Sequence, residues 1–117
     1  MGAYVERTQE MNSRAKGARG EREIAKILKD RGYGDARRSV QYCGANGDAD
    51  VIGLPGVHIE VKRVERLNIE GAMQQSRTDA RPDEIPAVFH KRNNKKWLCT
   101  ISLDDFLDLY EEASSRW

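Results

Sequence analysis

Apolar and polar positions along the chain sort into helical and extended segments. From Ser13 to Arg31 the spacing of Ile24, Ile27 and Leu28 predicts a first helix with one buried stripe. Gly32-Tyr33-Gly34 then supplies the stop. Residues 1–12 carry no such period and are expected to form a mobile arm. Ser39-Val40-Gln41-Tyr42-Cys43 predicts a strand, and Gly44-Ala45-Asn46-Gly47-Asp48 a loop. Asp50-Val51-Ile52-Gly53 and Val57 to Arg63 predict two strands joined through Leu54-Pro55-Gly56. A helix over Asn68–Ala80, with Ile69 and Met73 toward the core, ends before Pro82. Ala87–His90 and Trp97–Ile101 predict a hairpin across Asn93-Asn94. Ser102 is the N-cap of a last helix, with Leu103, Phe106, Leu107 and Tyr110 on its apolar side and Asp105 at the third helical position. The order α-β-β-β-α-β-β-α describes one mixed sheet flanked by helices, an α/β fold.

Composition narrows this picture. A chain of 117 residues fits a single domain, 1–117. Its 38% apolar content implies a small core with much wet surface. The apolar runs are too short for a membrane span, and the polar stretch from Met1 to Lys16 does not resemble a secretory signal. Glu6 stands where a myristoylation motif needs Ser or Thr. Cys43 and Cys99 make neither a disulfide framework nor a zinc quartet, so the expectation is a reduced, cytoplasmic protein.

The net charge of +1 hides an uneven distribution. Residues 14–38 hold nine basic and four acidic groups, whereas the last sixteen residues hold five acids and one base. A second basic cluster, Lys91, Arg92, Lys95 and Lys96, surrounds Asn93-Asn94. This polarity suits one face turned toward a phosphate backbone and an acidic face turned away.

Candidate chemistry centres on Val57-His58-Ile59-Glu60-Val61-Lys62. Strand alternation puts Val57, Ile59 and Val61 on one face and His58, Glu60 and Lys62 on the other. An ordinary half-buried strand with a wet polar side has the same pattern. Asp50, however, begins the preceding strand, and a tight hairpin brings it beside Glu60. Two carboxylates on adjacent strands repel unless a proton, water or a cation intervenes. Two acids with open water positions describe a Mg²⁺ site, and Lys62 on the same face can stabilise charge on a phosphate. On the first helix Glu21 lies at the edge of the apolar stripe, where a helix-terminal acid favoured by the macrodipole is the structural alternative. Glu23 projects roughly 200° away from it, toward solvent. Gln74 and Gln75 occupy the second helix as a phosphate contact or as solvated surface, His58 borders the site, and Trp97 is expected to be buried.

The stretch Lys16-Gly17-Ala18-Arg19-Gly20-Glu21-Arg22-Glu23-Ile24-Ala25-Lys26-Ile27-Leu28, followed by Gly32-Tyr33, resembles the opening of archaeal-type Holliday-junction resolvases. Asp50-Val51-Ile52 and Ile59-Glu60-Val61-Lys62 resemble the core motif of the PD-(D/E)XK nuclease superfamily, which small phage enzymes share. The resemblance covers residues 16–101 and implies a restriction-endonuclease-like αβββαβ core. It implies Asp50, Glu60 and the main-chain carbonyl of Val61 as metal ligands, with Glu21 as an outer or second-metal ligand. Lys62 would contact the attacking water or the scissile phosphate. The implied cofactor is Mg²⁺, with Mn²⁺ as substitute, and the implied substrate is DNA, branched as in Holliday junctions, cut by a homodimer. The basic residues expected to face DNA are Lys16, Arg19, Arg37, Arg38, Arg63, Lys91 and Arg92, with Gln74 as an accessory. A nuclease of the same fold without junction preference and a noncatalytic nucleic-acid-binding domain remain the alternatives.

Overall fold

The computed structural model describes residues 2–39 and 49–117, with only the backbone described for 2–14. Its elements are α1 (Gly2–Asp30), β1 (Arg37–Arg38), β2 (Val51–Ile52), β3 (Val57–Lys62), α2 (Ile69–Asp79), β4 (Ile85–His90), β5 (Leu98–Thr100) and α3 (Leu103–Ser114). The strands form one mixed sheet in the order β1-β2-β3-β4-β5. Only β3 and β4 run parallel, linked by the α2 crossover, and the other pairs are antiparallel. The first six elements make the αβββαβ order of a restriction-endonuclease-like core. Among the described residues no helix is long and apolar enough to cross a membrane.

The sheet is covered on both faces. On one side Ile24, Ala25 and Leu28 of α1 pack with Ala36, Val51, Ile59 and Val61. On the other, Ala72 and Met73 of α2 pack with Val88, flanked by Leu67 and Ile69. Alternation along β3 therefore sends Ile59 and Val61 toward α1, and His58 and Glu60 toward α2. The polar face of β3 is not wet: His58 is 1% and Glu60 2% exposed. The buried Ser76 hydroxyl on α2 ties the helix to this face by donating to the carbonyls of Ala87 (3.1 Å) and His58 (3.4 Å).

Several boundaries differ from expectation for local reasons. The helix α1 begins at Gly2, not Ser13, because Ala3, Glu6, Arg7, Gln9, Glu10 and Met11 are good helix formers that need no apolar stripe. Ile27 is 41% exposed, and Ala25 takes its place in the buried stripe. The first strand lies at Arg37–Arg38, and the strand and loop expected over 40–48 fall outside the described residues. The strand β4 starts at Ile85 and includes Pro86. Ile85 donates its N–H toward Gly56 on the β3 side, so Pro86 faces the β5 side, where pairing covers only Val88–His90. A missing N–H costs nothing there.

Two glycines permit close approach. Gly53 has φ +103°, and a Cβ there would lie 2.5 Å from Ala36 Cα and from the Asp35 carbonyl. A Cβ on Gly20 would meet the Arg63, Trp97 and Val61 side chains at 3.3–3.4 Å, so α1 rests directly on β3 and the start of β5. Gly53→Ala combines a left-handed backbone with a backbone clash, and is expected to lower stability by roughly 2 kcal/mol or more in urea unfolding.

Candidate active site

The strand β2 pairs with β3 only from Val51, which faces Ile59. One step outward, the same register sets Asp50 opposite Glu60. The Asp50 N–H still donates to Ile59 O (2.9 Å), but the next inward-pointing donor, the N–H of Val61, finds a side chain instead of a strand. It donates to Asp50 Oδ2 at 2.8 Å. Pairing thus ends in a carboxylate pinned to the ladder. Because a strand residue's N–H and C=O leave on the same side, the Val61 carbonyl points to the same edge as Asp50.

Glu60 stands across from that carboxylate, almost fully enclosed. Burial, reinforced by the charge and proton-sharing proximity of Asp50, pushes its carboxyl up to about 8, against a partial offset from Lys62. Asp79 on α2 adds further negative charge. Glu21 reaches the same end of the sheet from α1. Burial raises its carboxyl above the ordinary range, Arg38 draws it back, and Asp50 adds repulsion. Lys62, half-buried on the Glu60 face of β3, lines a recess of about 320 Å³ with Asn68, Gly71 and Gln75. Three acids and a lysine therefore converge at the open end of the β2–β3 ladder, where a divalent cation would relieve the mutual repulsion.

Four of the seven expected DNA contacts line two recesses. Lys16, Arg19 and Arg63 line one recess of about 290 Å³ beside Asn93. Arg92, with Lys95, Lys96 and His90, lines another of about 440 Å³. Arg37 is exposed and donates to Asp35 O (3.0 Å). Several of these cations are engaged internally. Arg38 Nε donates to Glu21 Oε1 at 2.9 Å. Arg63 is only 12% exposed in its side chain and donates to Glu23 Oε1 at 2.9 Å. Glu23 also accepts from the Trp97 indole (3.1 Å) and lies 3.9 Å from Lys91 Nζ. The expectation that Glu23 faces solvent is therefore corrected: Gly20 lets α1 sit so low on the sheet that Glu23 meets Arg63 and Trp97. Glu65 plays a similar part at the surface, accepting from the Asn93 N–H (2.8 Å) and lying 3.7 Å from Arg92 and 4.0 Å from Lys16. Those contacts, the Asn93 hydrogen bond foremost, hold its carboxyl below the ordinary range.

Helical phase separates the two glutamines. Gln74 is exposed and bonds Thr78 (3.3 Å), while Gln75, one residue on, borders Lys62. His90 bonds Thr100 Oγ1 (2.8 Å), and burial lowers its imidazole. Asp79 is the residue that sequence reasoning passed over. It stands with His58 and Glu60 such that one donor atom from each lies within 4.8 Å of the others. Its place at the C-terminal end of α2, after the core positions Ala72, Met73 and Ser76, gives only a weak signal in the sequence.

With this geometry in hand, comparison with known proteins yields one family match: a model described as "Phage putative PDDEXK endonuclease" covers residues 12–116. Neither the curated proteins nor the solved structures give a match.

Two expectations follow from the charges. Glu60 is raised above its ordinary 4.5 in the fold, so the folded protein keeps a proton that the unfolded chain releases. Without divalent cations, stability then falls as pH rises from about 4.5 to about 8. Glu60→Gln flattens that slope and raises stability above this window by about 1 kcal/mol or more, read from thermal melts in chelator across pH. Glu23→Ala leaves the enclosed Arg63 guanidinium without its carboxylate and is expected to cost about 2 kcal/mol in urea unfolding.

Proposed function

The chain belongs to the phage PDDEXK endonuclease family, and from that premise we propose that it is a Mg²⁺-dependent endodeoxyribonuclease acting on branched DNA such as a four-way junction, in the host cytoplasm. The observation that carries this reading is the Asp50 carboxylate fixed by the Val61 N–H opposite a Glu60 raised to about 8. The donor set fits the ion: two carboxylates and a main-chain carbonyl are hard oxygen ligands, and magnesium takes few protein groups while keeping several waters. Mn²⁺ accepts the same ligands. When bound, such an ion supplies Lewis acidity toward a phosphoryl oxygen and favours deprotonation of water.

The chain's own residues do the rest. Asp50, Glu60 and the Val61 carbonyl hold the ion. Lys62, on the face of Glu60, donates to the attacking water or the scissile phosphate and offsets charge that grows there. Glu21 acts from the α1 side as an outer ligand, its carboxylate shared between Arg38 and the site. Lys16, Arg19, Arg37, Lys91 and Arg92 would contact the phosphate backbone, with Lys16 and Arg19 in one recess and Arg92 in another, and Gln75 borders the recess beside Lys62. Arg38 and Arg63 act indirectly, by holding Glu21 and Glu23.

A homodimer supplies the second active site that paired cuts across a junction need. The helix α3 supports that reading: none of its residues is buried, and Leu103, Phe106, Leu107 and Tyr110 expose 42–70% of their surface. Contiguous apolar surface of this kind is characteristic of an interface.

Labelled four-way junction, duplex and single-stranded DNA incubated with Mg²⁺ provide the test. Cleavage is expected to be fastest on the junction and to stop in chelator. Asp50→Ala and Glu60→Ala should lose activity by roughly 10³-fold or more, and Lys62→Ala by roughly 10²-fold. Cleavage unchanged in the Asp50 and Glu60 variants would reject the site. Salt-sensitive binding without turnover would favour a noncatalytic DNA-binding domain.

A further inference from the structure

Glu60 also neighbours a set of donors for which the site described above has no use. His58 Nε2 lies 3.0 Å from Glu60 Oε1, with both side chains almost fully enclosed. Asp79 approaches from the C-terminal end of α2, so that one donor atom each of His58, Glu60 and Asp79 lies within 4.8 Å of the other two. Donors bound at about 2.0–2.2 Å around one tetrahedral ion stand about 3.3–3.6 Å apart, so a contraction of little more than an ångström at the widest pair would close the set. The opposite ring nitrogen, His58 Nδ1, is 3.8 Å from Glu84 Oε1. Closed to hydrogen-bond distance, a carboxylate on the far-nitrogen side orients a ligating imidazole and leaves its other lone pair directed at the ion.

Access and charge agree with this. His58 borders a recess of about 330 Å³ lined also by Asp35, Gly53, Arg81 and Glu84, and Asp79 is half-exposed, so two of the three residues adjoin open space. The groups around His58 are predominantly acidic: Glu60 on its own strand, Asp79 on α2 and Glu84 before β4, with Arg81 on the wall of the recess. Buried acids grouped with a histidine need a counter-charge or protons.

We propose that His58, Glu60 and Asp79 form a second divalent-cation site, selective for a borderline transition ion such as Mn²⁺, Co²⁺ or Zn²⁺ over Mg²⁺, with Glu60 shared between it and the Asp50 position. The selectivity follows from the imidazole ligand. Nitrogen donors suit the transition ions, whereas Mg²⁺ prefers oxygen and retains its water. The inference shares Glu60 with the proposed nuclease site but does not depend on cleavage.

Co²⁺ is the probe, measured by equilibrium dialysis and by its visible absorption against a large excess of Mg²⁺. The native protein is expected to retain one Co²⁺ under these conditions, with an absorption distinct from that of the free ion. His58→Gln and Asp79→Asn should each weaken that binding by at least about tenfold, while Asp50→Asn and Glu21→Gln keep it. Circular dichroism checks folding, and the half-exposed Asp79 gives a variant that decides the question should His58→Gln fail to fold. Co²⁺ displaced by Mg²⁺, Co²⁺ binding unchanged in Asp79→Asn, or binding lost with Asp50 alone overturns the inference. Cleavage separates this site from the nuclease reading: Co²⁺ bound through His58 in a protein that does not cut DNA sinks the proposed function and leaves the inference standing.

Discussion

A single hydrogen bond organises the acidic end of this sheet. The strand β2 is two residues long, and beyond it the N–H of Val61 has no backbone acceptor, so Asp50 Oδ2 takes that place at 2.8 Å. Buried amide donors are rarely left unpaired, so the carboxylate is drawn in despite facing Glu60. The bond is charge-assisted and therefore among the stronger ones available. It converts a strand end into a fixed carboxylate, with the Val61 carbonyl beside it. The positions of Glu60 and Lys62 follow from β3 itself, because β3 lies between β2 and β4 with both faces covered.

Concentrating acids in this way opposes folding, and the structure limits the damage locally. Arg38 pairs with Glu21, Lys62 lowers the burden on Glu60, and Glu60 holds a proton well above the usual carboxylate range. A protein that gains nothing from this arrangement would be better served by apolar residues of the same size. The tension agrees with membership of the phage PDDEXK endonuclease family.

A second polar cluster keeps α1 at the right height. Gly20 lets the helix rest on Val61 and Trp97, and Glu23 then joins Arg63 and the Trp97 indole. This cluster fixes the helix that carries Glu21, and it withdraws Arg63 from the basic surface. The cations left near the surface gather around Lys16, Arg19 and the turn before β5, where Glu65 organises them by bonding the Asn93 N–H. At the far end α3 has its acids on one side and unburied apolar residues on the other, so its packing within the chain is incomplete.

The sequence alone determined the element order, the alternation that puts Glu60 and Lys62 on one face of β3, and the Pro-Gly turn that returns the chain from Asp50 to Glu60. Those are local properties, set by side-chain period and turn chemistry within a few residues. Tertiary structure alone decided that the His58–Glu60 face is buried rather than wet, that Glu23 rather than solvent holds Arg63, that Gln75 rather than Gln74 borders Lys62, and that Asp79 joins Glu60. Each of these depends on where a helix lands on the sheet. That distance and rotation come from packing between residues far apart in the chain, as Gly20 against Trp97 and Ser76 against His58 and Ala87 illustrate.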